Sequence, residues 1–150
     1  MSEAYSQFDY IARPEMPMPN QSGATSNPVS RAVSPELAAL LPLKPVEVLV
    51  LSMLSGGERH GYGIRHDIIE HTQGAIALEA GNLYRTIRRL ETDGLVDESA
   101  RRPTADEDDE RRRYYRLTPL GRRVLIAELE RLRALVRLGE ERRLIAPLPT

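Results

Sequence analysis

The sequence predicts a mainly α-helical fold with a small β-hairpin and a long final helix. Between residues 45 and 93, apolar residues recur at three- and four-residue steps in three short segments, as in amphipathic helices. Two stretches rich in β-branched and aromatic residues then flank a polar turn, which is typical of a hairpin. A longer amphipathic segment begins at Thr118. Elements in this order are typical of a winged helix-turn-helix, here followed by a long C-terminal dimerisation helix.

Residues 1–42 are expected to form a mostly disordered N-terminal tail. Six prolines alternate there with small polar residues, and apolar residues show no helical period. Such a segment cannot bury enough apolar surface to offset the entropy that is lost on ordering. Ser34 and Pro35 are an exception, because a capping hydroxyl followed by proline predicts a two-turn helix that Pro42 would end.

Residues 43–117 are expected to form the winged helix-turn-helix domain. Its first helix begins at Pro45 and stops at two consecutive glycines, which adopt the left-handed conformation after a helix end. The second helix is predicted at about 60–72 and the third at about 80–93. The short apolar segment 76–78, between these two helices, is expected to form a brief strand.

The predicted hairpin consists of residues 95–99 and 112–117. Arginines stand at both strand ends, and Arg112 and Arg113 are candidates for contacts with DNA phosphates. The turn carries five consecutive acidic residues at 106–110, which DNA would repel. This acidic run is interpreted either as a solvated loop or as a latch that folds back on the neighbouring arginines.

The third helix presents three arginines opposite its apolar face. At about 100° per residue, one side of the helix carries Leu83, Ile87 and Leu90. The opposite side carries Arg85, Arg88 and Arg89, with Asn82 and Tyr84 beside them. A helix that enters the major groove needs an apolar back and hydrogen-bond donors in front. The alternative is a solvated charged face, in which Glu91 and Asp93 pair with the arginines.

The last helix is expected over residues 118–145 and would be about 40 Å long. Leucine and valine recur along it at steps of four, three and four residues, as in a coiled-coil seam: Leu125, Leu129, Leu132 and Val136. Charged residues, among them Glu128, are expected to fill the other face. The seam predicts a homodimer. Packing of the seam on the chain's own domain is the alternative.

Composition excludes several other classes of protein. The chain contains no cysteine, which excludes disulfides, thiolate chemistry and zinc–cysteine sites. It has neither a secretory signal nor an apolar run of the roughly 20 residues that span a membrane, so a cytoplasmic protein without a membrane partner is expected. The three histidines lack metal-ligand spacing, and no nucleotide-binding or catalytic motif is present. No metal, cofactor or enzymatic activity is therefore expected.

Three motifs resemble those of PadR-type transcriptional regulators. They are LSML at 51–54 followed by HGYGI at 60–64, GNLYRTIRRLETDGLV at 81–96, and RYYRLTPLG at 113–121. The resemblance covers about residues 43–140 and is greatest with the compact branch of the family, which has a single C-terminal helix. The sequence departs from the family pattern at two positions. Glu79 stands where Ser or Thr is common, and Asn82 stands where Thr is common, so the base preference of the protein stays open.

The resemblance implies a homodimeric repressor that binds a palindromic operator in double-stranded DNA and is released by a small aromatic or drug-like effector. It also implies that Tyr84 faces DNA, that His60 and Tyr62 lie near the DNA backbone, and that the last helix forms the dimer. The alternative is a winged-helix protein-interaction or assembly module without DNA binding. The acidic hairpin tip and the formal net charge of −1 favour this alternative.

Overall fold

The computed structural model describes residues 33–100 and 113–149. Their elements are, in chain order, α1 (Pro35–Ala39), α2 (Pro45–Leu54), β1 (Arg59–His60), α3 (Gly61–His71), α4 (Ala80–Thr92), β2 (Val96–Glu98), β3 (Tyr114–Leu117) and α5 (Pro119–Glu141). The described part of the chain is mostly helical with a small antiparallel sheet, which confirms the predicted fold class. No helix within these two ranges is long and apolar enough to cross a membrane.

The sheet has three strands in the order β1-β3-β2. The predicted hairpin is confirmed as β2 and β3, which pair antiparallel with Asp97 opposite Arg116. On the other side of β3, His60 of β1 lies opposite Tyr114. Residues 101–112 of the connection between β2 and β3 lie outside the described residues, among them Arg112 and the acidic run at 106–110.

The strand expected at 76–78 is wrong, and the third strand is β1 instead. The backbone of the 76–78 segment is engaged by side chains of the preceding helix and its cap. Arg65 Nε donates to the carbonyl of Leu78 at 2.7 Å, and the backbone N–H of Ile76 donates to the hydroxyl of Thr72 at 3.4 Å. These bonds hold the segment as an irregular connection between α3 and α4.

The core lies where α2, α3 and α4 meet the first turns of α5. The buried side chains of these four helices include Val50, Leu51, Leu54, Ile64, Ile68, Leu83, Ile87, Leu90 and Val124. Leu95 and Val96, at the start of the hairpin, complete this cluster. For α4, the helical period of Leu83, Ile87 and Leu90 correctly predicted which side of the helix faces inward.

The short helix that Ser34 and Pro35 predict is present as α1. The hydroxyl of Ser34 accepts from the backbone N–H of Leu37 at 3.4 Å. Leu37, Leu40 and Leu41 are partly buried against the core. α1 therefore packs on the domain, although the sequence analysis assigned residues 33–42 to the tail. Residues 1–32 lie outside the described part of the chain.

α5 begins at a tight junction with the hairpin. The Thr118 hydroxyl accepts from the backbone N–H of Gly121 at 2.9 Å and donates to the carbonyl of Gly94 at 2.7 Å. The helix ends at Glu141, four residues before the end of the expected range 118–145. Arg143 takes a positive φ of 57°, and the N–H of Leu144 returns to the carbonyl of Gly139 at 2.9 Å, which closes the helix.

Candidate nucleic-acid interface

α4 has an apolar side in the core and a polar side at the surface. Leu83, Ile87 and Leu90 are each almost completely buried. Arg85 and Arg88 are exposed, as the helical period predicts. Tyr84 is 48% exposed. The helix is therefore held to the domain by its back, and its front is accessible to a partner.

The predicted residues at the start of α4 are bonded to one another. Arg85 donates from Nη2 to Oδ1 of Asn82 at 2.7 Å and from Nε to the carbonyl of Gly81 at 3.3 Å. Glu79 occupies the N-cap position, but its side chain makes no cap hydrogen bond. The guanidinium of Arg85 and the amide of Asn82 therefore form one polar group on the exposed side of the first two turns.

Arg89 is exposed, as the helical period predicts, and its guanidinium also contacts α2. Its Nε lies 3.5 Å from Oε1 of Glu47, whose side chain is only 7% exposed. The other carboxylate oxygen of Glu47 accepts from the backbone N–H of Lys44 at 2.8 Å. Sequence reasoning missed Glu47. The available signal was that Glu47 is the single charged residue in the mostly apolar α2.

His60 has a structural role that the sequence did not indicate. It is the N-cap of α3, and its Nδ1 accepts from the backbone N–H of Gly63 at 2.9 Å. Its ring stacks on Tyr62 at 6.2 Å between centroids and meets Tyr114 of β3 edge-on at 5.5 Å. Tyr62 itself is largely exposed. His60 therefore joins the start of α3 to the sheet, next to an accessible tyrosine.

A cleft of about 310 Å³ lies between α4 and β3, lined by Tyr84, Ile87, Arg88, Glu91, Arg113 and Tyr115. Arg113 Nε lies 3.9 Å from a carboxylate oxygen of Glu98 on β2. Burial raises the pKa of Glu91 above its usual value, and the nearby Glu98 raises it further, while Arg113 and Arg88 oppose this shift. The arginines of the cleft are thus surrounded by carboxylates of the same chain.

The seam predicted on α5 divides between the core and the surface. Leu125 is 5% exposed and packs in the core of its own chain, so the structure corrects its expected place in a dimer interface. Leu129 and Val136 are exposed, and Leu132 is intermediate. The apolar face of α5 therefore extends from the core of the domain onto its surface.

Glu128 is also placed differently from the expectation that it lies on a charged outer face. It is 1% exposed, and its two carboxylate oxygens accept from Nε and Nη2 of Arg131 at 2.9 and 2.7 Å. The hydrogen bonds from Arg131 hold the pKa of Glu128 below its usual value, and a backbone hydrogen bond from Leu43 acts in the same direction. Glu128 therefore links α5 to the segment that precedes α2.

Residues 33–100 and 113–149 contain no group of three or more His, Cys, Asp or Glu side chains that could hold a metal ion. The exposed side chains on and beside α4 include those of Arg85, Arg88, Tyr84 and Asn82. Helices α2 to α4 and the β2–β3 hairpin define a winged helix-turn-helix.

The chain belongs to the transcriptional regulator PadR-like family, whose family model matches residues 50–127. It is 33% identical over 92 residues to the transcriptional regulator Rv3488 of Mycobacterium tuberculosis, a match that covers 61% of this chain and 79% of the relative.

Solved structures of other regulators share the fold. A PadR family transcription regulator from Clostridium difficile superposes with a TM-score of 0.55 at 23% identity, over 64% of this chain and 95% of the other. A transcriptional regulator from Clostridium thermocellum gives a TM-score of 0.54 at 23% identity, over 73% and 96%. Bacillus subtilis PadR, solved in complex with operator DNA, gives 0.50 at 20% identity, over 59% and 48%.

Proposed function

We propose that this PadR-family protein is a homodimeric repressor that reads a palindromic operator with α4 and is released by a small aromatic or drug-like effector. The observation that carries the proposal is the division of α4. Leu83, Ile87 and Leu90 fix the helix to the core, while Arg85 and Arg88 extend from its other side. The major groove of B-DNA admits an α-helix, and arginine is its commonest specific reader through guanine.

The residues around these arginines suit the same partner. The Asn82 amide, beside Arg85, can pair with adenine, and a tyrosine hydroxyl such as that of Tyr84 can donate to a phosphate. The structure of Bacillus subtilis PadR with operator DNA supports DNA as the partner. Arg89 contributes less directly in this proposal, because its guanidinium is shared with the buried carboxylate of Glu47.

The dimer is proposed to form through the exposed part of the α5 seam. α5 has 23 residues and is thus about 34 Å long. Its first turns pack in the core through Val124 and Leu125, whereas Leu129 and Val136 on the same side lie at the surface. A second copy would cover this stripe. Two-fold symmetry would then present two α4 helices to successive major grooves about 34 Å apart.

The effector rests on the family resemblance. A molecule can release the operator only if it binds the non-binding arrangement of the dimer more tightly than the DNA-binding one. A dimer with a different angle between its two α4 helices would be such a non-binding arrangement, because this angle determines the spacing at which the helices meet the grooves.

Selection on a random double-stranded DNA library at about 150 mM salt tests the proposal. We expect enrichment of an inverted repeat with half-sites about 10 bp apart. Arg88→Gln should then weaken binding and either lower the salt slope by about one or relax the preference at one base pair. Arg137→Gln, the same substitution on the remote part of α5, is the control and should leave both unchanged. A folded protein that enriches no sequence would overturn the proposal.

A protein-interaction module without DNA binding is the second candidate. It is favoured by the pairing of basic side chains within the chain, since Arg113 approaches Glu98 and Arg116 lies 3.7 Å from Asp97. The two functions separate on salt dependence, because a phosphate binder loses affinity steeply as salt rises. Retention of a protein partner at high salt, without enrichment of any DNA sequence, would favour the interaction module.

A further inference from the structure

The ring of Tyr84 lies directly on the first residue of α3. A methyl group in place of the Gly61 hydrogen would lie 2.9 Å from both Cε1 and Oη of Tyr84, and 3.1 Å from Cζ. Carbon atoms of side chains do not approach other heavy atoms so closely. The outer end of the tyrosine ring, including its hydroxyl, therefore occupies the space that any other side chain at Gly61 would take.

The surface beneath the ring is fixed from two directions. His60 caps α3 through the N–H of Gly63, and in the sheet it lies opposite Tyr114 of β3. Its ring also meets that of Tyr114 edge-on. The start of α3 is thus tied both to its own first turn and to the sheet. A side chain that packs on Gly61 is therefore held in a fixed position relative to α3 and the sheet.

Tyr84 would have more freedom without this contact. It is on the exposed side of α4 and is about half covered. A solvent-exposed tyrosine samples several rotamers, and a partner that selects one of them has to order the side chain on binding. Contact with Gly61 orders the ring before any partner arrives.

We propose that Gly61 is a positioning residue for operator binding, which holds the Tyr84 ring against α3 and so fixes the direction of its hydroxyl. This inference rests on the proposed function, since it assigns Tyr84 to the DNA interface. It explains why a glycine stands at the first position of α3, where the backbone does not adopt the left-handed conformation that favours glycine. Side-chain ordering of this kind changes affinity by roughly two- to tenfold.

A double-mutant cycle on operator affinity tests the proposal. The variants are Gly61→Ala, Tyr84→Ala and the double variant, each measured on the enriched operator at one salt concentration. We expect Gly61→Ala to weaken binding several-fold in the wild-type background and to have no further effect beside Tyr84→Ala. Gly56→Ala is the control, because it makes the same change in the turn after α2, where an added methyl group meets only the carbonyl oxygen of Met53 at 3.9 Å, and it should leave affinity unchanged.

Two results would overturn the inference. One is an equal loss of affinity from Gly61→Ala with and without Tyr84, since a glycine that merely lets the DNA backbone approach α3 would act in both backgrounds. The other is no loss in either background. The free protein provides a second readout. Nuclear Overhauser contacts from the Gly61 α-protons to the Tyr84 ring should be present, and their absence also refutes the contact. If wild-type protein enriches no operator, the proposed function fails as well; an additive cycle on an enriched operator refutes only the role of Gly61.

Discussion

Gly121, at the start of α5, is the described glycine at which an added methyl group would make the closest contacts. An alanine methyl there would overlap the carbonyl oxygen of Leu95 and would lie 2.9 Å from Cδ1 of Leu117. The Leu95 carbonyl cannot turn away freely, because it accepts from the backbone N–H of Thr118 at 3.1 Å. Gly121→Ala must therefore push α5 away from the start of the hairpin.

The expected cost follows from three contributions. Overpacking against a well-packed core costs about 1–3 kcal/mol, and contact with backbone belongs at the upper end because backbone cannot change rotamer. Straining or losing the bond between Thr118 and Leu95 costs about 1 kcal/mol. Within a helix, alanine is more favourable than glycine by about 1 kcal/mol, which offsets part of this cost. We therefore expect Gly121→Ala to lower the free energy of unfolding by roughly 3 kcal/mol.

Urea denaturation followed by circular dichroism measures this change. With a slope of about 1–3 kcal/mol per molar urea, the midpoint should fall by on the order of 1.5 M. Protein concentration must be held constant, since dimer formation would shift the midpoint. Gly81→Ala is the matched control, because a methyl group at the second residue of α4 meets no atom within 4 Å and should stabilise by up to about 1 kcal/mol. Equal midpoints for the two variants would refute the reasoning.

Two further predictions concern α5. Leu132→Glu combined with Val136→Glu should produce monomers by analytical ultracentrifugation and abolish operator binding. Ile126→Glu is the control and should leave the dimer intact, because Ile126 is exposed and lies about 80° or more around the helix from Leu132 and Val136. Dimers that persist in the double variant would exclude this seam. Because hydrogen bonding lowers the pKa of Glu128, its carboxylate contributes stability that is present above its ordinary value of 4.5 and lost as the pH falls through the lowered pKa. At pH 7, the free energy of unfolding of Glu128→Gln should thus be lower than that of the wild type by about 1–2 kcal/mol. This difference in free energy should shrink below about pH 4.5. Urea titrations in which the difference does not change with pH would contradict this assignment.

Local patterns were sufficient to predict most of the fold. The spacing of Leu83, Ile87 and Leu90 alone determines which side of α4 faces the core, because helix geometry relates sequence spacing to direction. In the same way, Thr118 and Pro119 marked the start of α5 through short-range capping. Such features depend on residues within a few positions of one another, so they are legible without any tertiary information.

Several features that the sequence did not predict depend on contacts between distant segments. The ion pair between Arg89 and Glu47 joins two different helices, so the spacing within α4 does not predict it. Strand β1 is two residues long, too short to show a period, and exists because β3 lies beside it. Leu125 belongs to a regular apolar seam, but only the packing of α5 on the domain determines where that seam leaves the core. Charged and edge positions of this kind require the assembled structure.

The junction between α4 and α5 connects the helix proposed to read DNA with the helix proposed to form the dimer. The carbonyl of Gly94, two residues after the end of α4, accepts from the hydroxyl of Thr118, and the carbonyl of Leu95 accepts from the backbone N–H of Thr118. Gly121 then brings the first turn of α5 against that same backbone. Three contacts within so short a stretch leave little freedom for α4 to rotate relative to α5. In the proposed dimer, the angle between the two α4 helices is therefore determined mainly by how one α5 packs on the other, and a variant that loosens the junction should reduce operator affinity even where the dimer persists.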